Sequence, residues 1–392
     1  MSVASDLPDL TPEEAAHSAR LAARVHEEIA RHGGWISFAR YMQLALYEPG
    51  LGYYSAGARK FGAAGDFITA PEVAPVFSRC LATQCEEVLR GLDGGDVLEL
   101  GAGSGVMAAA LLEELARRDC LPGRYRILDV SADLRERQRA TLAAAVPQLL
   151  DRVEWLDRLP EEFTGIVVAN EVLDALPVER FVARNGGLNA LGVTSNFGRL
   201  EWSETRAPGA LADAVRAAQR DAGIAWPEGY ASEINLGLAD WLAALAATVR
   251  RGVLLFVDYG LPRREFYAAE RREGTLLCHF RHRFHDDPLA RPGLQDITAW
   301  VDFTAVAAAG QAAGLEVAGY TTQAHFLIGC GLGEFVAEVS DLDVVSRVNL
   351  SRQAMVLTLP GEMGERFKAI AFAKRYDSPL RGFAVRDLRQ ML

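Results

Sequence analysis

A short apolar run that ends in three closely spaced glycines, Val97-Leu98-Glu99-Leu100-Gly101-Ala102-Gly103-Ser104-Gly105, constrains this chain more than any other segment. Glycine lets a chain turn at left-handed φ and lets a ligand approach the backbone where a Cβ would stand in the way. Residues 104–118 have helical periodicity, so the segment reads as a strand passing through a tight turn into a helix. From residue 96 onward short apolar strands alternate with helical stretches, the pattern of an α/β fold with a parallel sheet wrapped by helices. Residues 96–100, 125–130, 152–155, 165–170, 252–258, 315–320 and 367–373 read as strands. The continuous Val/Ile/Leu runs of 165–170 and 252–258 belong in the sheet centre. Ser131 is placed to cap one of the intervening helices, and 304–313 reads as another.

The turn is not that of a dinucleotide fold. That pattern, G-x-G-x-x-G, places a third glycine where helix and strand close around a pyrophosphate, and here position 106 is Val. Glu99, just before the first glycine, repels a diphosphate and suits an ammonium or sulfonium group. Asp129 ends the next strand, where a carboxylate accepts hydrogen bonds from both hydroxyls of a ribose; the plainer alternative is that it caps the adjoining helix. Together these features point to S-adenosylmethionine rather than a nicotinamide dinucleotide, with Glu99, Gly101, Ala102, Gly103, Gly105 and Asp129 as its contacts.

A second acidic segment, Asn170-Glu171-Val172-Leu173-Asp174-Ala175-Leu176-Pro177, follows a buried strand at its carboxyl end, where open α/β sheets bind ligands. Glu171 and Asp174 would share a face of a short helical turn. Two carboxylates beside a methyl donor can hold a guanidinium by bidentate hydrogen bonds; solvated loop acids, or Asp174 capping a turn before Pro177, are the alternatives. Methyl transfer from a sulfonium is an in-line displacement that demands alignment and a dry pocket, and no metal. A guanidinium stays protonated at physiological pH, so a carboxylate must orient it and accept charge as its proton leaves. Cys278, His279, His282, His285 and Asp286 carry metal-ligand atoms in a short span, but Arg281 and Arg283 oppose a cation there. Hydrogen-bonded loop anchors or a substrate groove are the expectation instead.

The chain has 392 residues, enough for two domains or one enlarged domain. With 41 Lys+Arg against 52 Asp+Glu its net charge is −11, which argues against a nucleic-acid partner. Five cysteines without paired spacing predict reduced thiols and a cytoplasmic setting. The acidic residues among the first 30 exclude a secretory apolar region and disfavour a transit peptide, and no run reaches the ~18 apolar residues of a membrane span. Residues 1–90 read as an N-terminal helical extension that contributes to the site, with a capping-box spacing from Thr69 to Glu72 opening a helix. Residues 91–392 read as the sheet domain with insertions at about 185–232 and 261–300. The first insertion opens on a hairpin signal, Asn185-Gly186-Gly187, and precedes a helix over 235–250 capped by Asn235; the second reads as a long ordered loop.

Residues 65–72 (GDFITAPE), the glycine turn, 169–177 (ANEVLDALP), 257–260 (VDYG) and 281–289 (RHRFHDDPL), with 295–298 and 301–303, resemble the MidA-like methyltransferases from about Ile36 to the C-terminus. The resemblance implies a Rossmann-like, seven-stranded methyltransferase sheet with an N-terminal helical extension and insertions. It further implies S-adenosylmethionine as cofactor and methylation of an arginine ω-nitrogen on a protein, in relatives a matter of respiratory complex I assembly. Gly101, Gly103 and Gly105 match the cofactor turn, and Asp129 a position often occupied by Glu. Asn170, Glu171 and Asp174 match the acidic loop, with Asn170 among the cofactor contacts and the two carboxylates as catalytic groups. Thr69, Pro71 and Glu72 match a segment that closes over the cofactor, although Glu72 equally completes the capping box. His282, His285, Asp258 and Tyr259 lie in family motifs and are taken as substrate-binding. A small-molecule or oxygen acceptor, and an assembly factor that binds the cofactor without turnover, remain alternatives.

Overall fold

The structure is a computed structural model that describes residues 7–56, 70–337 and 344–392. In chain order its elements begin with α1 (Pro12–Arg31), β1 (Trp35–Ser37), α2 (Phe38–Tyr47), α3 (Ala70–Val73), α4 (Pro75–Gly91), β2 (Asp96–Leu100), α5 (Val106–Arg117) and β3 (Tyr125–Leu128). There follow α6 (Ala132–Ala145), β4 (Val153–Leu156), β5 (Phe163–Asn170), β6 (Glu179–Arg184), β7 (Gly187–Asn196), β8 (Arg199–Arg206), α7 (Gly209–Ala222), β9 (Ala231–Ile234), α8 (Leu238–Thr248) and β10 (Val249–Leu261). The remainder comprises α9 (Arg263–Phe266), β11 (Leu277–Phe280), β12 (Arg283–His285), β13 (Asp296–Thr298), β14 (Val301–Asp302), α10 (Phe303–Ala312), β15 (Glu316–Thr322), α11 (Gln323–Gly329), α12 (Leu332–Ala337), α13 (Val344–Thr358), α14 (Met363–Arg366) and β16 (Phe367–Lys374). No described helix is long and apolar enough to cross a membrane.

Contacts divide the chain into two units. The first takes the N-terminal segment with residues 173–238 and 261–302; the second takes residues up to 172 from the start of α3, then 239–260 and 303–392.

The second unit carries a sheet in the order β15-β16-β10-β5-β2-β3-β4. Strands β4, β3, β2, β5 and β10 run parallel, while β16 is antiparallel to both β10 and β15. Ile166, Val167 and Val168 in β5 are almost wholly buried, as a central strand covered on both faces requires. Their burial contributes roughly 1.5–3 kcal/mol each. Helices α4 and α5 pack on this sheet through Phe77, Leu81, Val88, Leu111 and Leu115. The single helix expected after Thr69 is two: Ala74 is extended, because Pro75 at the first turn of α4 disfavours a helical residue before it.

The first unit holds an antiparallel sheet in the order β1-β7-β6-β9, with β8 also on β7, and a small sheet β12-β11-β13. Helices α1 and α2 bury Leu21, Val25, Phe38, Tyr41 and Met42 in its core. The hairpin expected at Asn185-Gly186 joins β6 to β7, both turn residues at positive φ. Residues 261–300, expected to lack regular elements, instead form α9 and the three short strands of the small sheet. Strands this short carry too few alternations to register as periodicity. Their β11–β12 turn is also hidden in the sequence, since Arg281 (φ 48°) and His282 (φ 61°) occupy the left-handed positions usually held by Asn or Gly. Arg281 secures that tip by donating to Glu14 Oε1 at 2.6 Å and to the Asp9 carbonyl. Helix α8 is shorter than expected, and Asn235 forms a turn by accepting from Gly237 N rather than capping it.

Candidate functional site

The strand order locates the site. From β2 the chain steps outward to β3 and β4, then returns to lay β5 on the opposite side of β2. Such a reversal leaves a crevice at the carboxyl ends of the strands. Gly101 follows β2 at that edge, Asp129 follows β3, Asn170 ends β5, and Asp258 stands near the end of β10.

In the turn after β2, Gly101, Gly103 and Gly105 have φ of 64°, 53° and 83°. A Cβ on Gly105 would stand 2.9 Å from Gln138 Cα, and one on Gly101 would stand 3.1 Å from Val172 Cγ2. The turn therefore needs glycine for its backbone and for the close approach of α6 and of the segment after β5. Gly105 starts α5 without a side-chain cap, and Ala102 is buried.

Asp129 is buried, its Oδ1 accepting from Ser131 N at 2.9 Å and its Oδ2 from Gln138 Nε2 at 2.9 Å. Ser131, not Asp129, caps α6 by accepting from Leu134 N. Gln138 also donates to the Gly103 carbonyl at 3.1 Å and accepts from Trp155 Nε1 at 3.1 Å. It thus ties the glycine turn, the acid after β3 and β4 together. Sequence reading did not single out this residue. Its one signal is a polar side chain on the buried stripe between Leu134 and Leu142.

Glu99 is completely buried; Oε2 accepts from the Tyr125 hydroxyl at 2.6 Å, and Oε1 has no partner among the described residues. Burial, reinforced by the Asp129 carboxylate and opposed by the Tyr125 hydrogen bond, pushes its carboxyl up to about 7. Near neutral pH it is therefore partly protonated, where the sequence suggested a fixed negative charge.

At the end of β5, Asn170 Nδ2 donates to Glu171 Oε1 at 3.0 Å, and Asn170 Oδ1 is buried without a partner among the described residues. Glu171 has φ 53°, so the helical turn expected over 171–174 does not form. Its N–H donates to the Val257 carbonyl at 2.9 Å. Asp258 is buried and accepts from Val172 N at 3.1 Å and from Tyr259 N at 2.9 Å. These two hydrogen bonds hold the turn that follows β5. The Tyr259 ring packs on Phe367. Pro71 and Glu72 lie in α3, the first buried and the second half-buried, while Thr69 falls outside the described residues.

Asp174 belongs to the first unit, where it is buried and its carbonyl accepts from Ala299 N at 3.0 Å. Nearby, Tyr54 donates to Asp296 Oδ1 at 2.9 Å and stacks on Tyr47 at 5.5 Å. Burial, with the Asp296, Tyr47 and Asp174 groups adding to it, holds the Tyr54 hydroxyl well above its ordinary value. His282 is exposed at the β11–β12 tip, whereas His285 is buried opposite Cys278. Burial lowers the basicity of His285 and pushes that of His279 down to about 4, so both are neutral at physiological pH. Gln295 donates to the Asp287 and Pro288 carbonyls and Tyr41 to that of Pro288, which explains much of the HDDPL segment as loop anchoring.

The donor set at the crevice of the second unit is acidic or neutral: Glu99, Asp129, Asn170, Glu171 and Asp258. Such groups suit ribose hydroxyls, an ammonium and a sulfonium, and they oppose a diphosphate. The left-handed glycine cradle and the buried oxygens of Glu99 and Asn170, without partners among the described residues, fit the same ligand. With the reversed last strand of the sheet, these features define the class of S-adenosylmethionine-dependent methyltransferases.

The comparisons agree. The chain belongs to the family described as "Putative S-adenosyl-L-methionine-dependent methyltransferase", which matches residues 80–321. A crystal structure from Burkholderia thailandensis bound to S-adenosyl-homocysteine is 43% identical, with a TM-score of 0.94 over 99% of this chain and all of that one. A native crystal structure from the same organism is 41% identical with a TM-score of 0.91, covering 99% of this chain and 100% of that one. Among curated relatives, the mitochondrial protein arginine methyltransferase NDUFAF7 of Danio rerio is 29% identical over 370 residues, 86% of this chain and 82% of the relative. Its Drosophila melanogaster homologue is 26% identical over 413 residues, 95% of this chain and 89% of the relative. S-adenosylmethionine is the cofactor, and the chain is an enzyme of methyl transfer.

Proposed function

We propose that this methyltransferase acts on an arginine ω-nitrogen of a protein, with Glu171 as the carboxylate that engages the guanidinium. The observation that carries the reading is the carboxylate of Glu171, held by Asn170 Nδ2 at the carboxyl end of β5, beside the crevice of the cofactor. The names of the curated relatives support a protein-borne arginine as acceptor. A homologous respiratory subunit is the protein we favour as substrate. Five free thiols support a reducing, cytoplasmic setting.

The cofactor supplies an electrophilic methyl group on a sulfonium, which leaves as a neutral thioether. The protein's task is alignment and proton balance. As the acceptor nitrogen forms its bond to carbon and the carbon–sulfur bond breaks, the guanidinium N–H becomes acidic and its proton passes to a carboxylate. Glu171 is assigned that role, and Asn170 Nδ2 fixes the rotamer from which it acts. The remaining glycine-turn and Asp129 contacts bind the cofactor and are unchanged during the step.

The test is Glu171→Gln, which preserves shape and removes the base. Methyl incorporation from labelled cofactor into arginine-containing peptides and lysate proteins, read by mass, should fall at least about a hundredfold. Binding of S-adenosylhomocysteine should stay within about threefold of the parent. Unaltered turnover, or methyl found on lysine or oxygen in place of arginine, would refute the assignment.

A further inference from the structure

We propose that Asp258 is a positioning residue whose buried carboxylate locks the turn after β5 against the glycine turn after β2, so that the Asn170–Glu171 pair and the cofactor cradle keep one fixed relation. The inference rests on methyl transfer as the activity and holds whatever the acceptor.

Asp258 interrupts a strand of Val, Leu and Phe and is only 1% exposed. A carboxylate there costs several kcal/mol unless its oxygens are hydrogen-bonded, so its presence calls for a compensating function. Both oxygens are used on backbone amides. Oδ1 takes the N–H of its neighbour Tyr259, and Oδ2 reaches across to the N–H of Val172. That second amide has left the ladder, because β5 ends at Asn170 and Glu171 turns the chain away. A glutamate held at φ 53° carries a strain of roughly 1–2 kcal/mol that the surroundings must sustain. They do so from both sides, through Glu171 N on the Val257 carbonyl and Val172 N on Asp258.

The lock continues toward the cofactor turn. With its amide fixed, Val172 lays Cγ2 over Gly101, where even a Cβ would be 3.1 Å away. On the other side of the same turn, Asn170 Nδ2 holds Glu171 Oε1. The ends of β10, β5 and β2 are thereby connected through one carboxylate, Asp258 to Val172 to Gly101. The β2–β5 and β5–β10 ladders hold the strands in register as far as Leu100, Asn170 and Val257; beyond their ends the link from Asp258 to Val172 to Gly101 sets the loop carboxylate against the glycine cradle at the precision that in-line transfer requires.

The experiment uses the full chain with S-adenosylhomocysteine as probe, titrated calorimetrically well below the melting temperature, together with amide hydrogen exchange. In Asp258→Ala the amides of Val172 and Tyr259 should exchange at least about tenfold faster, and the affinity for S-adenosylhomocysteine should fall about tenfold. Asp258→Asn keeps one acceptor oxygen and should recover part of both, leaving an affinity loss of about threefold. Glu114→Gln, which disturbs the buried cluster with Arg79, Arg117 and Arg118, is the control for stability alone: it should lower the melting temperature and leave the affinity unchanged. An affinity within twofold of the parent in Asp258→Ala overturns the proposal, as does unchanged exchange at Val172. If Asp258→Ala does not fold, Asp258→Asn carries the test, and a parental affinity in that variant overturns the proposal equally.

Discussion

Glu99→Gln turns a buried acid into a measurable pH dependence of stability. In the folded protein burial raises this carboxyl to about 7, against a value near 4.5 when the chain is unfolded. Between those values the folded state retains a proton that the unfolded state has released, so the slope of stability against pH is negative. The contribution is fully present below pH 4.5 and is lost as pH rises through 7, an amount on the order of 3 kcal/mol. Gln keeps an oxygen for the Tyr125 hydroxyl but places an amide where Oε1 has no partner among the described residues, at a cost of roughly 1–3 kcal/mol that does not vary with pH. The two stability curves should therefore cross: at pH 5 the parent is the more stable, and by pH 8 the variant equals or exceeds it. Urea unfolding at constant ionic strength, repeated at intervals across that range, measures the difference directly. A difference that stays constant from pH 5 to 8 would refute the reasoning, since it would mean that Glu99 is already ionised in its buried site.

Two further outcomes follow from the geometry. Gln138→Leu deprives Asp129, the Gly103 carbonyl and Trp155 Nε1 of a partner at once; unfolding free energy should drop by about 2–4 kcal/mol and S-adenosylhomocysteine affinity by about tenfold, and calorimetry showing parental affinity would contradict the hub role. In the first unit the Arg40 and Arg24 guanidinium groups hold the Glu28 carboxyl down at about 2, so the stability it contributes is present above pH 4.5 and is lost as pH falls toward 2. Glu28→Gln should flatten the acid limb of the unfolding curve monitored by circular dichroism.

The parts of the fold that were legible early are those whose cause is local. The buried runs of β5 and β10 announce themselves because a central parallel strand has no polar face to interrupt it. The turn after β2 is likewise local, three glycines at the boundary of a strand and a helix, and the Ser131 cap needs only its own helix. The small sheet within 261–300 was not legible, since its strands are three or four residues long and its tight turn is built from Arg281 and His282, held by a contact to Glu14 at the far end of the chain.

By itself the sequence determined the α/β class, the glycine turn and, through the acids flanking it, a preference for S-adenosylmethionine over a diphosphate. These depend on periodicity, backbone freedom and charge sign, which are properties of neighbouring residues. Only the tertiary structure decided what each polar group near the turn does. Asp258 and Val172 are 86 residues apart, Gln138 and Gly103 are 35 apart, and Glu99 meets Tyr125 across 26. A carboxylate becomes a charge, a neutral acid or a backbone clamp according to the donors that burial brings to it, and those donors come from strands the sequence does not show as neighbours.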